Sequence, residues 1–112
     1  MRRFAQFDVC RNTGKHRASI PYVVIVQSSY YEKARRRVVV PLVLRDAIDR
    51  LAPLPASPLN PSFRIENVEV VLNPLEIVSV PVEALGETVA SLRDASDTII
   101  AALDELLSRA LY

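Results

Sequence analysis

The stretch SVPVEALGETVASL, from Ser79 to Leu92, sets the architecture of the C-terminal third of this chain. It starts as a strand-like run, passes a proline and a glycine, and leads toward a helix. It contains no nucleophile beside a base, no set of metal ligands and no phosphate-binding loop. The stretch therefore predicts a strand, a corner and the approach to a C-terminal helix, and it predicts no chemistry.

The residues that follow predict a long amphipathic helix. Ser91, with Asp94 three residues later, resembles a capping arrangement. At ~100° per residue, the apolar stripe is roughly 140° wide, which is wide enough for both a core and a partner. The stripe contains Leu92, Ile99, Ile100, Leu103, Leu106, Leu107 and Ala110, and the other side carries Asp94, Asp97, Thr98, Asp104, Glu105 and Arg109.

The residues that precede the stretch predict a small antiparallel sheet, because they are rich in β-branched side chains. Phe63 and Ile65 share one parity and Val68, Val70 and Leu72 the other, so a hairpin turn is expected at Glu66-Asn67. Strands are expected over 4–10, 20–27, 36–42 and 75–82, with a hairpin loop over 11–19 and another loop over 28–33.

A short helix is expected after the third strand. Pro41 is predicted as its first residue, and Leu44, Ile48 and Leu51 form one helical stripe. Pro53 is expected to end it, since proline cannot continue a helix. The segment APLPASPLNP, residues 52–61, then predicts a stiff irregular connection within one domain that spans 1–112.

Length, charge and cysteine usage narrow the class of protein. The chain has 112 residues, half of them hydrophobic, which allows one domain with an aliphatic core. A net charge of +1 gives little support to direct nucleic-acid binding. The single cysteine, Cys10, fits a reducing, cytoplasmic setting. No apolar run approaches the ~18 residues of a membrane span, so we expect no membrane association.

The candidate catalytic groups are sparse. Cys10 and His16 could form a thiol and base pair, but a buried apolar role for Cys10 is favoured. Lys15-His16-Arg17 with Ser19 could support ribonuclease-type acid–base work, although such a loop is more often solvated surface. One Cys and one His give no metal-ligand set. We therefore expect no catalytic residue, no metal and no cofactor.

Two further features suit binding. Tyr30-Tyr31 lies between strands, and two adjacent loop aromatics cannot readily both be buried, which favours an interaction site. Arg35-Arg36-Arg37 could grip phosphate, but alternation along a strand sends the three side chains to opposite faces.

Several blocks together resemble the CcdB family of plasmid and chromosomal toxins. Ser79 to Leu92 is similar to the family's SVPV strand, its GE pair and its VA-L run before the C-terminal helix. QFDV at Gln6–Val9, VQS at Val26–Ser28 and RRVVVPL at Arg36–Leu42 resemble three other family blocks at fitting spacing. The resemblance covers nearly the whole chain, and it is the combination that is specific.

This resemblance implies a fold and a function. The fold is mainly β with α: an SH3-like antiparallel barrel or sheet, as in CcdB and MazF, with a long C-terminal helix and a two-fold homodimer. The implied activity is to bind the DNA gyrase A subunit and poison gyrase, without enzymatic chemistry, under control of a CcdA-like antitoxin. The implied gyrase-contacting residues are Tyr30, Tyr31, Asp104, Ser108, Arg109, Ala110 and Tyr112.

The chain departs from the family at its C-terminal end. The best-known members end in Trp-Gly-Ile, whereas Ser108, Arg109 and Ala110 occupy the aligned positions here, followed by Leu111 and Tyr112. Two alternatives therefore stay open. One is a MazF-like endoribonuclease that uses Lys15, His16 and Arg17, and the other is a CcdB homologue that binds antitoxin but no longer poisons gyrase.

Overall fold

A computed structural model describes residues 4–51 and 57–108 and shows an antiparallel sheet curled into a half-barrel, with a helix at its C-terminal end. The predicted fold class is confirmed. The elements are β1 (Asp8–Asn12), β2 (Tyr22–Ile25), β3 (Arg36–Leu44), α1 (Arg45–Leu51), β4 (Ser62–Ile65), β5 (Val68–Leu72), β6 (Val78–Pro81), β7 (Leu85–Ser91) and α2 (Ser96–Ser108). Short 3₁₀ turns cover Ser29–Tyr31, Pro74–Glu76, Val82–Ala84 and Arg93–Ala95.

Strand β3 is the centre of the sheet. The strand order is β4-β5-β3-β2-β1-β7, and β6 pairs separately with β3. One side of β3 pairs with β2, while the other side pairs with β6 at its start and with β5 at its end. The nine residues of β3 therefore have three different partner strands, which the curl of the sheet makes possible.

Pro41 lies inside β3, so its prediction as the first residue of a helix is wrong. It falls between Val39, the last residue paired with β6, and Leu42, the first paired with β5. Its carbonyl oxygen accepts a hydrogen bond from the Asn73 backbone N–H at 3.0 Å. A proline is tolerated in this central strand because its missing N–H falls where one partner strand gives way to the next. The helix α1 starts four residues later.

The central strands β2, β3 and β5 are largely buried on both faces, which explains why they read as mainly apolar runs. One face carries the main core, where Val24, Val40 and Leu42 pack with Ile99 of α2. The neighbouring residues on each strand point to the opposite face. There, Ile25 and Val39 pack with Phe4 and Leu85 in one cluster, and Val43 and Val71 pack with Ala47 and Ile48 of α1 in another.

The hairpin predicted at Glu66-Asn67 is confirmed. Ile65 pairs with Val68, and the two residues between them have positive φ angles of 51° and 67°. Two consecutive residues in this region form the turn that matches the twist of antiparallel strands. The parity switch in the sequence therefore marked a two-residue turn.

Two predicted boundaries are wrong at the ends of the chain. The first strand begins at Asp8 and not at Phe4, because Phe7 has a φ angle of 71° and closes a turn. Strand β7 occupies the residues predicted as the approach to the helix, and Ser91 is its last residue and no helix cap. The Ser91 hydroxyl instead accepts a hydrogen bond from the Arg93 backbone N–H at 3.2 Å.

Strand β7 is irregular against β1. Val9 and Cys10 face Ala90 and Thr88, and Cys10 and Asn12 face Thr88 and Leu85, so β7 carries one extra residue in each interval. Such bulges bend a strand and increase its twist. They curl the edge of the sheet around the main core, where Ala90 and Leu92 pack. Within the described ranges, no helix is long and apolar enough to cross a membrane.

Candidate functional site

The two tyrosines predicted for partner contact stand at the surface on one short 3₁₀ turn. Tyr30 is 86 % exposed and Tyr31 is 60 % exposed. Their ring centroids lie 5.0 Å apart with planes at 74°, an edge-to-face contact. Such rings offer a large apolar area and a hydroxyl each, and aromatic pairs of this kind are common anchors of protein interfaces. We call residues 28–35 the tyrosine loop.

The backbone of the tyrosine loop is well hydrogen-bonded. The Ser28 hydroxyl accepts from the Tyr30 N–H at 3.2 Å, and its carbonyl accepts from the Tyr31 N–H at 3.0 Å. The Tyr31 carbonyl accepts from the Ala34 N–H at 3.0 Å and from the Gln27 side-chain amide at 3.0 Å. The exposed rings therefore sit on a defined turn, which lowers the entropy lost when a partner binds.

Three exposed cations lie in the tyrosine loop or directly after it in the sequence. Lys33, Arg35 and Arg36 are exposed, and Arg36 donates to the Ser79 hydroxyl at 2.8 Å and to its carbonyl at 2.7 Å. Arg37, by contrast, is only 5 % exposed. The prediction that alternation would separate the arginines is confirmed, so they do not form a joint phosphate site. The loop instead combines aromatic rings with cations, which fits a protein surface with acidic groups.

The C-terminal helix exposes a second surface. Asp104 and Leu107 are exposed and Ser108 is half-buried, and all three lie in the last two turns of α2. Within the described part of the chain, Tyr30 and Tyr31 make no hydrogen bond and no ring contact with this helix. Three other residues predicted for gyrase contact, Arg109, Ala110 and Tyr112, lie outside the described residues.

The predicted apolar stripe of α2 is only partly used by the core. Of its members, Ile99 is fully buried and Leu103 packs at the edge of the core, and Ala102, which was not predicted as part of the stripe, is also fully buried. Ile100 and Leu107, which belong to the same stripe, are 46 % and 72 % exposed. The sheet therefore covers only part of the width of the apolar stripe of α2. The remaining apolar side chains face outward, where a partner could cover them.

The residues considered for catalysis are not brought together as a site. Cys10 is fully buried with its Sγ 3.7 Å from the Thr88 hydroxyl, so its predicted role as a buried apolar residue is confirmed. Lys15, His16 and Arg17 are exposed on the loop between β1 and β2. The His16 carbonyl accepts from the Ile20 N–H at 2.8 Å, and the Arg17 guanidinium donates to the Gly14 carbonyl at 3.2 Å. These bonds shape the loop and do not orient a base.

A polar network that the sequence analysis missed ties the hairpin turn to the opposite edge of the sheet. The Arg11 guanidinium makes a two-pronged contact with Glu66 at 3.0 and 2.9 Å and donates to Glu87 at 2.8 Å. The hydroxyl of buried Tyr22 donates to Glu66 at 2.6 Å. These four side chains connect β1, β2, β7 and the β4–β5 turn, and we call them the Arg11 clasp.

The contacts within the clasp shift the pKa values of three of its members, Glu66, Tyr22 and Arg11. Hydrogen bonds from Tyr22 and then from Arg11 lower the pKa of Glu66. Burial, followed by the hydrogen bond to Glu66, raises the pKa of Tyr22. Hydrogen bonds to Glu87 and Glu66 raise the pKa of Arg11. These shifts hold Glu66, Tyr22 and Arg11 in the charge states they have near neutral pH, which suits a cluster that joins elements of the sheet.

Within residues 4–51 and 57–108, no group of three or more His, Cys, Asp and Glu side chains could hold a metal ion. The described residues also contain no buried side-chain nitrogen or oxygen without a hydrogen-bond partner. The features that stand out are therefore the tyrosine loop and the exposed end of α2.

Comparison with known proteins supports this assignment of architecture. A family model described as CcdB protein matches residues 6–108, which is nearly the whole chain. The resemblance inferred from the sequence blocks is thereby confirmed. A separate comparison with curated proteins finds no match.

Proposed function

Because the chain belongs to the CcdB family, which implies a CcdB-type toxin, we propose that it binds the DNA gyrase A subunit and poisons gyrase. In this proposal the protein is a binding module without enzymatic chemistry. A CcdA-like antitoxin neutralises it in the cytoplasm.

The exposure of Tyr30 and Tyr31 is the observation that carries the proposal. The resemblance to the family implies that Tyr30 and Tyr31 stand where other members have an aliphatic pair in the gyrase-contacting loop. Here these positions hold two aromatic side chains that stand out from a hydrogen-bonded turn. A large exposed apolar group on an ordered backbone is the kind of anchor on which interface affinity concentrates. The tyrosines therefore take over the apolar contact, and the flanking cations steer the loop toward acidic groups.

The exposed end of α2 supplies the second contact in this proposal. Asp104 and Leu107 are exposed there and Ser108 is half-buried, and Arg109, Ala110 and Tyr112 follow in the sequence. Tyr112 is the aromatic residue nearest to the position of the family's tryptophan. We therefore expect Tyr112 to contribute more to gyrase affinity than the smaller residues before it.

The homodimer is also a proposal, and exposed apolar side chains support it. Leu75, Ile77 and Val78 are 65 %, 39 % and 48 % exposed, and α2 packs beside this segment with Ile100 also exposed. Such a set is expected to be covered in a two-fold interface. Light scattering at micromolar concentration should give twice the 12.5 kDa chain mass. A 12.5 kDa particle would refute the dimer.

The main experiment measures affinity for the purified gyrase A subunit together with thermal stability. Tyr30→Ala, Tyr31→Ala and Tyr112→Ala should each weaken binding, and a chain without residues 108–112 should lose it, all with little change in melting temperature. His16→Ala is the matched surface control and should bind normally. Induction in a gyrase-sensitive host should arrest growth and trap gyrase–DNA complexes.

The outcomes separate the alternatives. Absence of gyrase binding by the intact protein would leave a homologue that only binds antitoxin. RNA cleavage by the purified protein, together with loss of toxicity in His16→Ala at unchanged stability, would favour the ribonuclease. Full affinity in the truncated protein would place the gyrase contact away from the helix end.

A further inference from the structure

Arg37 is a buried cation beneath the tyrosine loop. Its Nη1 donates to the carbonyl oxygens of Ala34 at 2.6 Å and of Arg36 at 3.0 Å, and its Nη2 donates to the Glu32 carbonyl. Its Nε donates to the Phe4 carbonyl at 3.2 Å. None of the ion pairs among the described residues includes Arg37. Four backbone carbonyls therefore surround this guanidinium.

Such burial is unfavourable unless the group has a task. A guanidinium that leaves water without a carboxylate partner loses hydration that carbonyl dipoles replace only in part. A leucine or methionine at this position could pack on the same face as Val39 without that cost. The sequence instead has an arginine where the chain leaves the tyrosine loop and enters β3. Hydrophobic packing alone does not explain an arginine at this position, and the contacts of its guanidinium with the loop do.

Two of the carbonyls it contacts belong to irregular backbone. Glu32 and Ala34 follow the 3₁₀ turn and precede β3, so no strand partner supplies donors for their carbonyl oxygens. Their hydrogen-bond donors must therefore come from outside the strand ladders. The planar guanidinium offers five N–H groups in a fixed fork, which can serve several carbonyls at once. Gln27 adds to these contacts, since its side-chain amide donates to the carbonyls of Tyr31 and Arg36.

We propose that Arg37 is a positioning residue for the tyrosine loop: it fixes the returning half of the loop so that Tyr30 and Tyr31 are presented in one orientation. The inference rests on the proposed function, because it treats this loop as the contact with the gyrase A subunit. Arg37 itself is buried and does not contact the partner. It acts by lowering the number of loop conformations that binding must select from.

The test compares Arg37→Met and Arg37→Lys with Val39→Ala in the same strand. Val39 is 1 % exposed and lies on the same face, and its side chain belongs to the neighbouring apolar cluster. Trypsin cleavage after Lys33 reports local opening of the loop under native conditions. We expect Arg37→Met to be cut roughly tenfold faster than Val39→Ala at equal melting temperature, since only the former frees the loop.

Arg37→Lys keeps the charge but lacks the fork, so it should still be cut faster than the control. It also keeps the test decisive if Arg37→Met does not fold. Both Arg37 variants should bind the gyrase A subunit more weakly than Val39→Ala. If loop cleavage follows melting temperature alike in all three variants, Arg37 is only structural and the inference is overturned.

The binding measurement separates this inference from the proposed function. The Arg37 variants could be cleaved faster in the loop while the wild-type protein fails to bind the gyrase A subunit. That result would uphold the positioning of the loop by Arg37 and refute the gyrase proposal. Faster cleavage with unchanged gyrase affinity would refute the loop as the contact that Arg37 positions.

Discussion

Gly86→Ala should destabilise the protein because β7 runs very close to the backbone of β1 at this position. A Cβ atom placed on Gly86 would lie 2.7 Å from the Arg11 carbonyl oxygen and 3.0 Å from the Arg11 Cβ. The closest atom belongs to backbone of a paired strand, so it cannot rotate away as the end of a side chain can. The substitution Gly86→Ala must push β7 from β1 at the bulge between Leu85 and Thr88.

The expected cost follows from this geometry. Removing a glycine restricts the unfolded chain, which alone would stabilise the protein by about 0.4–1 kcal/mol. Forcing one extra carbon into a packed backbone contact costs about 1–3 kcal/mol, so the clash outweighs the entropy gain in most of that range. The midpoints of the two ranges leave a net cost of about 1.3 kcal/mol. At roughly 4 °C per kcal/mol for a chain of this size, we expect the melting temperature to fall by about 5 °C.

The chain provides a matched control in its other glycine. A Cβ on Gly14 would lie 3.3 Å from the Asn12 side-chain oxygen, an atom that can shift, in an exposed loop. Gly14→Ala should therefore change stability by no more than about 0.5 kcal/mol. Both variants are melted at the same protein concentration, because a dimer would make the melting temperature depend on it. Equal melting temperatures for the two variants would refute the close-approach argument.

Three other predictions follow from the same structure. Because the pKa of Glu66 is lowered in the fold, its carboxylate stabilises the protein at a pH above its ordinary pKa of 4.5. This contribution is lost as the pH falls through the lowered pKa. Glu66→Gln should therefore reduce the acid dependence of the melting temperature, and an unchanged acid profile would contradict the clasp. Ile99→Ala, at a fully buried position, should cost about 2–5 kcal/mol, whereas Leu107→Ala should cost at most about 0.5 kcal/mol. Similar unfolding midpoints in urea would show that the helix is docked differently. Finally, His16→Ala should leave both toxicity and stability unchanged, and loss of toxicity in the growth assay would count against a non-catalytic His16.

The sequence by itself determined the features that depend on near neighbours. The parity switch around Glu66-Asn67 located the hairpin, because side chains in a strand must alternate and a two-residue turn reverses the phase. The same alternation correctly separated Arg36 from Arg37. The adjacency of Tyr30 and Tyr31 in a loop predicted that they would be exposed. The combination of sequence blocks identified the family, and the family implied the fold.

The interior position of Pro41 depended on the tertiary structure. Proline before a helical stripe is a normal helix start, and nothing local distinguishes that case from a strand. Only the change of partner from β6 to β5 leaves a place in β3 where a missing N–H does no harm. That place exists because three distant segments meet along one strand.

The division of the α2 stripe and the burial of Arg37 have the same origin. A helical pattern gives the width of an apolar stripe, but the shape of the sheet decides how much of it is covered, and Ile100 and Leu107 stay outside. Parity placed Arg37 on one face of β3, but only the fold brings Phe4 and the return of the tyrosine loop over it. Periodicity follows from the repeat of a single element, whereas contact depends on where the other elements of the fold lie.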